Sequence, residues 1–206
     1  DIINLTKQKI ENQYLRALVF QLFEKNGVIK REEINNIVKL IPLNERKRLR
    51  SMGIKIGRYH IYLPKMLKPK AVEFRISLWK IFYNLTKKNK IPKFGLNFII
   101  NDNYENNFLL LCGFEKFKEF FVRIDILEKL FIKILGNSKD RKFKVNSEMM
   151  NLLGCTKENF HKLMTYMGYK KDNKDQDIYI FKGQKKKLDK FIKWDKNENP
   201  FQKLLH

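Results

Sequence analysis

The sequence predicts a mainly α-helical protein with small β-hairpins, in which two winged-helix-like modules flank a helical middle. Apolar residues recur at every third or fourth position in most long segments, which is the period of an amphipathic helix. Two helical stretches are each followed by short segments typical of a two-stranded ribbon. We therefore expect three parts: residues 1–86, a joint or loop at 87–107, and residues 108–206.

The first part is predicted to contain three helices and a hairpin. An apolar stripe predicts a helix over about residues 5–25, and a shorter helix that follows it stops at Pro42. A third helix over about 44–52 ends at Gly53. Residues 54–63 alternate apolar and polar side chains around a Gly-containing turn, and three helices followed by a hairpin are the outline of a winged helix.

The middle is predicted to be helical. Pro69 begins a helix through about Leu85, whose apolar stripe includes Trp79 as a core residue. The Lys- and Asn-rich stretch with Pro92 that follows predicts the joint. Residues 117–135 predict a further helix, and its acids at 125 and 128 lie at helical spacing, for which capping or ion pairing is the expected role.

The last part repeats the winged-helix outline. A short helix over 147–153 ends at Gly154, and Thr156 caps the next helix. Residues 170–177 predict a polar wing tip before a strand over 178–181. The Lys-rich tail, residues 182–196, gives no clear prediction.

Composition limits the function classes. The 206 residues are 43% apolar, enough to bury a core, and carry 44 Lys and Arg against 22 Asp and Glu, a net charge of +22. Such a balance favours an acidic partner, and nucleic acid is the commonest one. No apolar run approaches the roughly 20 residues that span a bilayer, so we expect no membrane partner and a cytoplasmic location. The two cysteines lack metal or redox spacing and are expected to be free thiols.

The strongest functional signal is the basic run over residues 46–70. It contains nine Lys or Arg and no acid, with aromatic residues interleaved, a composition that suits a surface for phosphates and stacked bases. The competing interpretation is a solvated helix face and a tight turn. The residues predicted to bind nucleic acid here are Arg46, Lys47, Arg48, Arg50, Lys55, Arg58, Tyr59, His60, Tyr62, Lys65, Lys68 and Lys70.

The second module offers a weaker binding signal. Lys157, His161 and Lys162 lie on its predicted second helix, which in a winged helix can enter a nucleic-acid groove. A packing role within a larger protein is the alternative, because this helix is far less basic than the first.

Catalytic motifs are missing from the sequence. It contains no G-x-x-x-x-G-K-[ST] loop, no G-x-S-x-G elbow and no H-E-x-x-H pair, so no catalytic residue and no cofactor of this chain are predicted. The three histidines are scattered and lack metal-ligand spacing, so no metal site is predicted either.

Three stretches together resemble the region behind the motor of bacterial, mainly alphaproteobacterial, superfamily-two ATP-dependent helicases related to the mitochondrial degradosome RNA helicase. They are LRSMGIKIGRYHIYLPKMLKPKAVEFRISLWK (49–80), CGFEKFKEFFVRIDILEKL (112–130) and NLLGCTKENFHKLMTYMGYK (151–170). The resemblance implies that ATP and magnesium belong to motor domains elsewhere in the same polypeptide. This part would guide a single strand, with RNA favoured over DNA, and the GRYHIYLP-to-LKP signature would contact it. The start at Asp1 without Met fits a segment of a longer or processed chain.

Two other functions fit the same sequence. A free-standing winged-helix DNA-binding regulator or replication initiator would bind one duplex sequence specifically. An architectural adaptor would use its basic face to contact an acidic protein or ribosomal surface.

Overall fold

The computed structural model describes residues 10–82, 91–100, 104–173, 175 and 177–181. In this part of the chain the protein is mainly helical, with three small antiparallel sheets. Each sheet belongs to a unit of consecutive helices and strands, and the three units follow one another along the chain. No helix in the described ranges is long and apolar enough to cross a membrane.

The first unit has its own apolar core. Asn12 caps its first helix by accepting the backbone N–H groups of Tyr14 and Leu15, both at 3.0 Å. Leu18 and Leu22 from this helix pack with Leu49 and Ile61 in the core. The elements are α1 (Gln13–Glu24), β1 (Val28–Lys30), α2 (Arg31–Leu40), α3 (Leu43–Ser51), β2 (Lys55–Ile56) and β3 (His60–Tyr62).

The middle unit begins with a 3-10 turn, Pro64–Leu67, and a long helix. Arg75 on this helix is buried and donates to the carbonyl oxygens of Asn26 at 3.2 Å and Leu111 at 2.7 Å, which joins the first unit to the middle. The elements after the turn are α4 (Pro69–Phe82), β4 (Phe98–Ile100), α5 (Asn106–Leu111), β5 (Phe114–Phe117) and β6 (Phe120–Arg123).

The last unit is packed around aromatic side chains. Phe143 stacks on Tyr179 with ring centroids 5.8 Å apart, and Phe160 is fully buried beside them. The elements are α6 (Ile124–Gly136), β7 (Ser138–Lys139), β8 (Lys142–Lys144), α7 (Ser147–Leu153), α8 (Lys157–Tyr166), β9 (Lys170–Lys171) and β10 (Ile178–Ile180).

The same strand order recurs in all three sheets. The orders are β1-β3-β2, β4-β6-β5 and, with β7 added at one edge, β8-β10-β9. In each sheet the last strand of the unit, β3, β6 or β10, lies in the centre. Its hairpin partner lies on one side, and on the other side lies the strand that precedes the helix or helices before the hairpin, β1, β4 or β8. The first and last units also share two helices between the first strand and the hairpin.

The predicted helix over 117–135 is wrong at its beginning. Residues 114–123 form the β5–β6 hairpin, and the helix begins only at Ile124. Because β6 lies between two strands and is buried along Phe120, Phe121 and Val122, its apolar run lacks the alternation that identifies a strand.

Two other predicted boundaries also differ. Of the predicted helix over 5–25, residues 10–12 are not helical and α1 begins at Gln13, where Asn12 caps it; residues 1–9 lie outside the described part. The predicted joint contains β4, which pairs with β6, so residues 98–100 belong to the middle sheet. The end of the predicted Pro69–Leu85 helix and the Lys-rich tail lie outside the described residues.

Helix α4 belongs to the middle core. Its residues Val72 and Ile76 pack with Phe108 and Phe121, and Trp79 lies partly buried beside Phe108, with ring centroids 6.2 Å apart. Trp79 is therefore a packing residue, as the sequence predicts. Both cysteines are free thiols.

A candidate nucleic-acid interface between the first hairpin and helix α6

The turn of the β2–β3 hairpin is held by a carboxylate from the last unit. Glu128 on α6 accepts the backbone N–H groups of Arg58 at 2.6 Å, Tyr59 at 2.8 Å and His60 at 2.8 Å. Burial alone would raise the pKa of Glu128, but His60 and the three N–H groups outweigh it, so this pKa lies below its usual value. A charged carboxylate thus fixes the hairpin against α6.

Gly57 makes this close approach possible. A Cβ atom at this position would collide with the carboxylate of Glu128. Gly57 is not among the residues with a positive φ, so its role is space for the carboxylate rather than an unusual backbone conformation.

A buried ion-paired cluster lies beside the turn. His60, only 2% exposed, places Nε2 2.8 Å from Oε2 of Glu115, and the Nζ of Lys30 donates to Oε1 of the same carboxylate at 2.7 Å. Burial by itself would lower the pKa of His60, but the hydrogen bond to Glu115 and the Glu128 carboxylate 3.7 Å from Nδ1 outweigh it and raise the pKa. The pKa of Glu115 is lowered by His60 and Lys30, despite a burial effect in the opposite direction.

The aromatic residues of the basic run face the interior. His60 is 2% exposed and Tyr62 is 3% exposed, so neither offers a ring face to a base, and the stacking role predicted for them does not fit the structure. Tyr59 is half-buried, with its ring edge on Phe131 at 5.7 Å between centroids and its hydroxyl 3.4 Å from that of Tyr169. β3 is buried at all three of its residues, so both of its faces are covered and none of its side chains reaches the surface.

The cations of α3 divide into one structural residue and three exposed ones. The guanidinium of Arg46 donates to the carbonyl oxygens of Ile41 and Val38, both at 3.0 Å, and caps the end of α2. Two of the three guanidinium nitrogens of Arg46 are therefore engaged within the first unit. Lys47, Arg48 and Arg50 are exposed, and the ion pair of Arg48 with Glu45 is long, at 3.9 Å.

A groove of about 900 Å³ runs between the β2–β3 hairpin and α6. We call it the hairpin–α6 groove. Its apolar wall includes Ile132 and Leu135, which are 67% and 48% exposed, together with Phe131. The five cations that line it are Arg31, Arg50, Lys55, Arg58 and Lys129.

The acids of the groove are engaged with other partners. Glu128 is held by the hairpin N–H groups, and Asp125 receives two hydrogen bonds from Arg123, at 2.6 and 3.0 Å. The lining thus holds five cations against two carboxylates and has an excess of positive charge.

The remaining predicted cations of the run lie elsewhere. Lys65 is on the 3-10 turn, and Lys68 and Lys70 lie at the beginning of α4. All three are exposed and none of them lines the hairpin–α6 groove.

The predicted binding residues of α8 are paired within the last unit. The Nζ of Lys157 lies 2.9 Å from Asp177, and that of Lys162 lies 2.7 Å from Glu158. His161 is hydrogen-bonded to the hydroxyl of Tyr179 at 2.7 Å and lies 3.3 Å from Asp177. The charge that this helix offers a ligand is thus partly neutralised.

Sequence reasoning missed Arg31, Lys129 and Phe131 as site residues. Arg31 precedes the basic run, and the other two lie on a helix about 70 positions after the hairpin. No local pattern joins them, because the groove exists only when α6 packs against the hairpin. Within the described ranges, no group of three His, Cys, Asp or Glu residues could hold a metal ion.

Comparison of the chain with protein-family models, with curated proteins and with solved structures finds no match.

Proposed function

We propose that this chain is a nucleic-acid-binding region of winged-helix modules that guides a single strand behind an ATP-dependent helicase motor in the same polypeptide. RNA is the preferred strand. ATP and magnesium would be bound by the motor domains, and this region would supply the path of the strand. The helicase context is supported by the resemblance of residues 49–80, 112–130 and 151–170 to such rear regions.

The order of elements supports the winged-helix interpretation. A winged helix has a helix, a strand, two helices and a hairpin, with the last strand between the other two. The first unit has this order over 13–62, and the last unit has it over 124–180 with one extra edge strand.

The observation that carries the proposal is the excess of positive charge in the hairpin–α6 groove. Five cations line it against two carboxylates, and this excess would attract phosphates. Exposed Ile132 and Leu135 beside Phe131 provide apolar contact for base faces. Because base faces are accessible only in unpaired nucleic acid, the groove suits a single strand better than a duplex.

The test is a salt series of binding to single-stranded RNA, single-stranded DNA and duplex DNA by fluorescence anisotropy. The variant Arg50→Ala/Lys55→Ala/Lys129→Ala removes three groove cations and should reduce the slope of log affinity against log salt by about 2 for single strands. A matched control, Lys39→Ala/Lys139→Ala/Lys170→Ala, removes the same charge from exposed positions outside the groove.

Equal slopes of log affinity against log salt for the groove variant and its matched control would contradict the groove as the binding site. A strong preference for one short duplex sequence would favour the regulator or initiator instead. The helicase context has a separate test in the gene, since an in-frame phosphate-binding loop encoded upstream of Asp1 is expected.

A further inference from the structure

A second cavity adjoins the hairpin–α6 groove. It has a volume of about 370 Å³ and lies on the other side of the hairpin turn, beside the beginning of α2. We call it the hairpin pocket. Its lining includes Lys30, Asn35, Tyr59, Glu115 and Phe117, a mixture of aromatic rings with hydrogen-bonding groups.

Arg31 and Arg58 line both cavities. They therefore stand on the ridge between the groove and the pocket. A strand that occupies both cavities can therefore contact both side chains where it crosses.

The structure holds the two guanidinium groups in place by different contacts. The Nη1 of Arg31 donates to the carbonyl oxygen of Gly57 at 2.6 Å, and the guanidinium of Arg58 lies over the ring of Phe131, 5.8 Å from its centroid. Both contacts position a cation without neutralising it.

Around the ridge the two cavities are lined by more cations than carboxylates. The cations are Lys30, Arg31, Arg50, Lys55, Arg58 and Lys129, and the carboxylates are Glu32, Glu115, Asp125 and Glu128. Burial lowers the pKa of Arg31, and the nearby charges of Arg58 and Arg46 lower it further, while Glu128 opposes them. Glu128 is already occupied by three backbone N–H groups. Arginines brought together in this way are stabilised by a bound anion, and the guanidinium fork matches phosphate geometry.

We propose that Arg31 and Arg58 clamp one phosphate of the bound strand where the strand crosses from the hairpin–α6 groove into the hairpin pocket. The nucleotide beyond this phosphate occupies the pocket, whose volume lies within the range of small-ligand sites, about 300–1,000 Å³. The inference rests on the proposed function and adds the path of the strand and the position of its central phosphate contact.

The test compares strands of increasing length. Oligouridylates of four to twelve nucleotides are titrated with the full chain, with Arg58→Ala and with Arg31→Ala/Arg58→Ala, and Lys39→Ala serves as a control that removes an exposed charge outside both cavities. For the unchanged chain, affinity should rise with length until the strand fills both cavities. The double variant should bind long strands on the order of tenfold to a hundredfold more weakly, with little remaining dependence on length.

Each result decides between distinct outcomes. If both arginine variants bind like Lys39→Ala while the unchanged chain binds strands in a salt-dependent way, the clamp is wrong and the proposed function stands. If the unchanged chain binds no strand, both fail. If polyglutamate competes as well as RNA and depends on the same arginines, the ligand is an acidic peptide and the phosphate assignment is overturned.

Folding of the variants is checked by thermal unfolding. Arg31 also holds the carbonyl of Gly57, so Arg58→Ala is the deciding variant if the double variant unfolds. Arg58→Ala alone should still lower the affinity for long strands more than the affinity for short ones. An equal loss of affinity at every length would contradict the clamp.

Discussion

Helices α3 and α8 hold the same place in their units, directly before the hairpin, but they differ in how their charges are used. On α3, Lys47 and Arg50 are exposed, and in the described part of the chain neither has an ion-pair partner. On α8, Lys157 and Lys162 are each paired with a carboxylate within 3 Å.

The difference teaches that a shared element order does not imply shared binding. The charge available to a ligand is the charge left after internal pairing. In the last unit, Asp177 lies next to β10 and faces α8, whereas the basic run of the first unit contains no acid at all. Lys47 and Arg50 of the first unit therefore keep charge that no described carboxylate pairs, whereas Lys157 and Lys162 are paired within the last unit.

Removal of the Glu128 carboxylate should have the largest effect. Glu128→Ala leaves three backbone N–H groups without their buried acceptor, and we expect the free energy of unfolding to fall by about 3–5 kcal/mol. Urea denaturation measures it. Glu148→Ala, on an exposed carboxylate, is the control and should leave the midpoint unchanged. An equal loss of stability in both variants would show that the hydrogen bonds of Glu128 do not stabilise the hairpin.

His60 and His161 should make opposite contributions to the pH dependence of stability. The pKa of His60 is raised, so its contribution to stability is complete below about pH 6.5 and is lost as the pH rises through the folded-state pKa. The pKa of His161 is lowered, first by burial and then by Lys171, so its contribution is complete above about pH 6.5 and is lost as the pH falls through the folded-state pKa.

Urea midpoints measured from pH 5 to 9 check this contrast. His60→Gln should cost more stability at pH 5.5 than at pH 8.5, and His161→Gln should show the reverse. Parallel curves for the two variants would mean that the ion pairs of His60 do not control its charge.

The sequence predicted those elements whose signals are local. The apolar stripe with Leu18 and Leu22, the stop at Pro42 and the caps at Gly154 and Thr156 each lie within or beside the element they define, and α1, α2, α7 and α8 are found there. The central strand β6 was mistaken for helix because burial on both faces removes its alternation.

The candidate site was less predictable because long-range contacts create it. Glu128 and the turn it holds are separated by about 70 positions, and an acid at helical spacing gives no sign that it will be buried against backbone N–H groups. The basic run contributes Arg50 and Lys55 to the lining of the groove, and its role as a binding surface stays a prediction. Packing gives Arg46, His60 and Tyr62 structural contacts instead.

Release of the paired lysines on α8 should have the smallest effect. It tests whether ion pairing would make α8 bind less strongly than α3. Glu158→Gln/Asp177→Asn removes the carboxylates that hold Lys162 and Lys157. Exposed pairs of this kind are worth about 0–1 kcal/mol, so stability should change little, while RNA affinity at low salt should rise by about twofold. The control Lys157→Ala/Lys162→Ala should bind like the unchanged chain. A large loss of binding in this control would mean that α8 already contacts the strand despite its ion pairs, and that the two helices act alike.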